Sequence, residues 1–137
     1  MYESLTRYLS DLEQAENYGE WVVDRESKGT HDDPVHASWM VYTPLVQSFI
    51  DAIYDFQDAH PDYELMSYRW ILEDRGIDWT RDVSDAEVSQ LDGQAVLALL
   101  MGAAQTGRFG EGSILFFLKE GYMQRWLRRL QELDGEG

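Results

Sequence analysis

QAVLALLMGAA, residues 94–104, contains no charged residue and has only one polar side chain, Gln94. A helix that is apolar all round has no face to offer to water, so it must be covered on every side. Asp92-Gly93 precedes the stretch and Gly107 follows it, which sets its limits. The reading is a central buried helix, and the rest of the chain has to supply its cover.

Downstream the chain runs TGRFGEGSILFF, residues 106–117. Gly107-Arg108-Phe109-Gly110-Glu111-Gly112 has the spacing G-x-x-G-x-G. A dinucleotide fingerprint runs in the opposite order and needs a strand before it, whereas here a helix comes first. Glu111 would also repel a phosphate. The stretch therefore reads as a packed corner. Gly107 ends the central helix, Gly110 and Gly112 let two helix ends approach, Phe109 plugs the corner, and Glu111 either pairs with Arg108 or sits near the positive end of the next helix. Residues 112–119 form a short helix that stops near Gly121. YMQRWLRRLQEL then closes the chain as an amphipathic helix. Tyr122, Met123, Trp126, Leu127, Leu130 and Leu133 face inward there, and Arg125, Arg128 and Arg129 face outward.

Upstream, Ser84-Asp85-Ala86-Glu87 fits a capping box. Residues 63–75 read as a helix ended by Gly76. Thr43-Pro44 is a helix start, a hydroxyl cap followed by a proline whose missing N–H costs nothing there. The buried stripe that follows is Leu45, Phe49, Ile50, Ile53 and Tyr54, and His60-Pro61 closes it. SWMVY, residues 38–42, suits a short extended segment. DRESKGTHDDP is a loop by composition. Tyr2, Leu5, Leu9, Leu12 and Ala15 recur at helical spacing, so the first helix is expected to run toward Gly19. The architecture is all-α or mainly α. It is expected to be a single compact domain over residues 1–137, of five to seven helices.

At 137 residues the chain is long enough to bury a core, and 44% hydrophobic with 13% aromatic residues supplies one. The absence of an 18-residue apolar run and of a basic, apolar N-terminus predicts a cytoplasmic protein without a membrane span. There are no cysteines, which removes disulfides, thiolate zinc sites and cysteine nucleophiles. Eleven basic against 26 acidic residues give a net charge of −15. All of that excess lies in residues 1–100, which carry 6 basic and 21 acidic side chains, whereas residues 101–137 carry 5 of each. Nucleic-acid binding needs cations to displace phosphate counterions, so direct binding of DNA or RNA is not expected. An anionic membrane is disfavoured for the same reason. A basic protein partner fits the charge.

LLMGAAQTGRFGEGSILFFLKEGYMQRWLRRL, residues 99–130, resembles the C-terminal signature of a bacterial and phage-associated family of uncharacterised small proteins. Its pattern is an apolar helix, R-F-x-x-G, a short helix, a glycine and a closing helix with an R-L pair. Arg108, Phe109, Gly112, Gly121, Arg129 and Leu130 carry the match. YGEW at 18–21 and VYTPLVQSFIDAIYD at 41–55 are similar to the family's early segments. The resemblance implies kinship across about two thirds of the chain; it implies no activity and assigns no catalytic residue.

His31, Asp33 and His36 in THDDPVH are usable metal ligands by type. Their spacing matches no helical H-E-x-x-H motif, and Pro34 suits an exposed loop. With 26 acidic residues in the chain, solvated loop residues are the expectation, with no metal and no cofactor. No G-x-S-x-G elbow occurs. Carboxylate pairs such as Asp51/Asp55 read as wet helix faces. Five tryptophans and eight tyrosines are many for this length, and core packing is the default for most of them. Tyr63, Tyr68, Trp70 and Trp79 fall where not all can point inward, which suggests a protein-binding face. Arg125, Arg128 and Arg129 are a second candidate interaction face, expected to meet acid from residues 1–100 within a monomer or across a homodimer. The functional expectation is a small acidic interaction module, an adaptor or inhibitor of a basic partner. The alternative is a metal-dependent hydrolase or nucleotide-processing enzyme using His31, Asp33 and His36.

Overall fold

The helix Gly93–Gly107 is the axis of the computed structural model, which describes residues 2–22, 39–79, 88–107 and 113–136. In chain order the elements are α1 (Glu3–Thr6), α2 (Leu9–Gln14), β1 (Gly19–Val22), β2 (Trp39–Tyr42), α3 (Pro44–Ala59), α4 (Tyr68–Glu73), α5 (Gly93–Gly107), α6 (Ser113–Lys119) and α7 (Tyr122–Glu136). Short 3-10 turns occur at Pro61–Tyr63, Leu65–Ser67 and Val88–Gln90. The fold is mainly α, with one small sheet.

Every residue of α5 from Ala95 to Ala104 is buried. Its cover comes from α3, α4, α6, α7 and the Leu65–Ser67 turn. The all-round apolar sequence is thereby satisfied. Asp92 caps the helix by accepting from the Ala95 N–H at 3.3 Å. Midway along α5, Gly102 gives the Trp79 indole its seat: a Cβ there would lie 2.7 Å from Cη2 and Cζ3 of the ring. α1 and α2 pack between α3 and α7.

Thr43 caps α3 through a hydrogen bond from the Val46 N–H to its Oγ1, with Pro44 at the first position. The helix is rotated from the expected stripe. Val46, Phe49, Ile53 and Phe56 are buried, and Leu45, Ile50 and Tyr54 are only partly covered. The expected first helix is also divided. A turn at Arg7–Tyr8 separates α1 from α2, and the segment ends at Ala15, yet Leu5, Leu9 and Leu12 all remain buried. The extended segment near residue 40 pairs antiparallel with β1, in the register Gly19↔Tyr42 to Val22↔Trp39.

Residues 63–75 are not one helix. Glu64 sits in the left-handed region at φ 54°, between two 3-10 turns, before α4 begins. The Gln57 side chain replaces the missing helical bond by accepting from the Leu65 N–H at 2.7 Å. Gly76 at φ 79° and Gly121 at φ 81° end α4 and α6 in a conformation that glycine adopts without steric cost. Ser84–Glu87 lies outside the described residues. No helix among the described residues is long and apolar enough to cross a membrane.

Candidate functional site

The turn-rich passage from His60 to Gly76 places the candidate aromatics. Leu65, Ile71 and Leu72 are buried and anchor the passage on α5. The side chains between them are forced outward: Met66, Arg69, Trp70 and Glu73 are exposed. Trp70 is 77% exposed and Met66 56%.

The four predicted aromatics do not form one face. Trp79 is 6% exposed and belongs to the core, packed against Gly102, Tyr68 and Phe117. Its expected place on a binding surface is corrected accordingly; the cause is the glycine on α5, which opens a slot of indole size. Tyr68 is half-buried, its ring edge-on to Trp79 at 5.4 Å. Tyr63 is half-buried against Phe56 and His60 at 5.4 and 5.8 Å. Trp70 alone of the four stands out, and it is joined by Met66, which sequence reasoning missed. Met66 lies in the 3-10 turn before α4, where its sulfur accepts from Gln105 Nε2 at 3.6 Å, and its spacing from Trp70 carried no signal because the passage is not one helix.

A cleft of about 410 Å³ lies nearby, lined by Tyr2, Asp62, Tyr63, Asp92, Gly93 and Gln94. Arg75 braces its wall. Its guanidinium donates from Nε and Nη2 to the two Asp92 oxygens at 3.2 and 3.0 Å, from Nη2 to Gln94 Oε1 at 3.0 Å, and from Nη1 to the Ile71 carbonyl at 3.1 Å. Gln94 in turn donates to the Tyr63 carbonyl at 2.9 Å. Burial pushes the Asp92 carboxyl up, but the Arg75 hydrogen bonds and charge, with the Ala95 N–H, outweigh it and hold the group below the usual aspartate value. Burial raises the Tyr2 hydroxyl, and its hydrogen bond with Tyr63 and the charges of Asp134 and Asp92 raise it further. Tyr2 therefore stays protonated, which suits a structural strut over the start of α5. Arg75 is committed to the fold.

The three arginines of α7 have different environments. Arg128 pairs with Glu13 of α2. Arg129 is 13% exposed, donates from Nε to the Leu91 carbonyl at 3.0 Å and pairs with Glu132 at 3.2 Å. Arg125 is exposed and lies over the Tyr122 ring at 5.5 Å. Among the described residues, Arg128 pairs with a carboxylate from residues 1–100, and Arg129 with a backbone carbonyl and a neighbour on its own helix.

Of the glycine corner, Gly107 closes α5, while Arg108, Phe109, Gly110, Glu111 and Gly112 lie outside the described residues. His31, Asp33 and His36 lie outside them as well. Among the described residues no group of three or more His, Asp and Glu is placed to hold a metal ion.

No curated protein matches the chain, and no solved structure matches it. One family model does, from residue 2 to residue 136. By that match, over nearly its whole length, the chain belongs to the family of unknown function DUF6508.

Proposed function

We propose that the protein is a non-enzymatic binding module, an adaptor or inhibitor that takes a basic protein partner on its acidic surface. One observation carries the reading: among the described residues the acidic excess points outward. Asp51, Asp55 and Asp58 on α3, Asp62 and Glu64 in the turns, and Glu73 and Asp74 at the end of α4 are all exposed. Residues 51–78 hold eight carboxylates against two arginines, and Arg75 is shared between Asp74 and Asp92. Such a field attracts and orients a cationic protein and repels nucleic acid and anionic membranes.

The test is capture followed by reconstitution. The immobilised full chain should retain a basic protein from a lysate and release it as sodium chloride rises from about 0.1 to 0.5 M, where the screening length shortens severalfold. The purified pair should then bind stoichiometrically, with an affinity that falls steeply over the same range. Retention of an acidic protein, or binding indifferent to salt, would refute the reading.

A further inference from the structure

We propose that Met66 and Trp70 are the anchor of this binding surface, and that its occupant is a cationic protein segment with large aliphatic side chains between its lysines or arginines. The proposal rests on the reading of the chain as a module for a basic partner and adds where the partner sits and which side chains it brings.

Two observations lead there. First, Trp70 is left in water while Trp79, nine residues on, is buried by its own glycine slot. The fold thus seats one indole and leaves the other out. Tryptophan is among the residues most enriched in the side chains that dominate binding energy, and methionine, exposed four positions earlier in the chain, adapts to irregular apolar shapes. Second, the surroundings are acidic. Glu64, Glu73 and Asp74 flank the pair in sequence and are exposed; of the two arginines in the same stretch, Arg75 is shared between Asp74 at 3.7 Å and Asp92 at 3.0 Å, and Arg69 lies over the Tyr68 ring at 5.9 Å. An open indole face also attracts ammonium and guanidinium groups directly. Aliphatic groups on Met66 and cations on Trp70 and the carboxylates would be satisfied together.

Charge distinguishes this patch from the other exposed apolar side chain on a helix. Phe116 is 51% exposed, but it packs against Tyr122, over which Arg125 lies, and Lys119 is on its own helix. With Glu120 one turn on from Phe116, that face carries two cations against one carboxylate and suits a cationic segment less well. A second copy of this chain is disfavoured as occupant by the repulsion of two molecules of charge −15.

The experiment titrates the full chain by calorimetry with two peptides of about 18 residues and equal charge, one an amphipathic leucine–lysine helix and the other lysine with serine in place of leucine. The leucine–lysine peptide should bind the parent, and Trp70→Ala or Met66→Ala should weaken it roughly tenfold or more. Phe116→Ala should leave it within about twofold, and the unfolding temperature of Trp70→Ala should match the parent because the side chain is exposed. The serine peptide should bind more weakly and be indifferent to Trp70→Ala. If Trp70→Ala binds the leucine–lysine peptide as the parent does, or Phe116→Ala weakens it equally, the anchor is overturned while the acidic-module reading stands. If neither peptide binds the parent, the module reading falls with it. A parent that self-associates in light scattering, with Trp70→Ala monomeric, makes the occupant a second copy and overturns the proposal.

Discussion

Gly102→Ala pits two effects of known sign against each other. In an ordinary helix interior the change stabilises by about 1 kcal/mol, because alanine loses less backbone freedom on folding. Here the new methyl would lie 2.7 Å from two carbons of the Trp79 ring and 3.0 Å from a third. The ring has little room to retreat, since Tyr68 lies edge-on to it at 5.4 Å and Phe117 at 6.0 Å. Overpacking of a core costs about 1–3 kcal/mol, and a rigid indole held on two sides belongs in the upper half of that range. The net expectation is a loss of about 1–2 kcal/mol. With an unfolding entropy of about 2.1 cal/mol/K per residue, a chain of this length loses roughly 3–4 °C per kcal/mol, so the midpoint should fall by about 4–7 °C. Urea and thermal unfolding followed by circular dichroism measure it. In a Trp79→Leu background the obstruction is gone, and Gly102→Ala should then raise stability by about 0.5–1 kcal/mol. A midpoint unchanged or raised in the parent background, or the same loss in both, would show that the slot is not what selects glycine.

Asp92→Asn keeps the α5 cap and removes the charge that Arg75 holds. Because the Asp92 carboxyl titrates below its ordinary value in the fold, its contribution is present above that ordinary value and is lost as pH falls through the folded one. The variant should therefore lose less stability than the parent in urea titrations below about pH 4, and parallel curves would refute the role given to Arg75. Arg129→Gln should cost about 1–2 kcal/mol by leaving the Leu91 carbonyl without its charged donor. Arg128→Gln should cost under about 1 kcal/mol, with the loss vanishing at high salt, and Arg125→Gln should cost nothing measurable; equal losses at all three positions would contradict these environments. Calorimetric titration of zinc or manganese into the full chain should show no stoichiometric micromolar site; one that disappears in His31→Ala/His36→Ala would install the metal reading.

Local chemistry was legible in the sequence wherever it decides the outcome by itself. Thr43-Pro44 starts α3 because a hydroxyl cap and a fixed φ act within one turn, and Gly76 and Gly121 end their helices for an equally local reason. The charge-free run of α5 could have only one environment. Other features depend on partners distant in sequence. In α3 the apolar arc includes both Leu45 and Val46 and both Ile53 and Tyr54, so its width left the buried edge to be chosen by α1, α2 and α5. Residues 63–75 have helical spacing, but the Gln57 side chain and the left-handed Glu64 divert them. Trp70 and Trp79 look alike in sequence, and a glycine more than twenty residues away decides which is covered. Nothing local in Arg75 or Asp92 announced that they meet.

The placement of α1 and α2 between α3 and α7 bears on how the chain comes off the ribosome. Leu12 is covered in part by a helix whose Leu130 is translated more than a hundred residues later. At ~5–20 residues per second, that is roughly 6–24 s in which the first segment has no complete site to dock on. Helices of four and six residues do not persist alone over such a wait, so Leu5, Leu9 and Leu12 remain open to chaperones until the closing helix emerges. The Tyr2 N–H bond to the Asp134 carboxylate, at 3.0 Å, joins residues 132 positions apart, so it cannot form until the whole of the intervening fold has been translated.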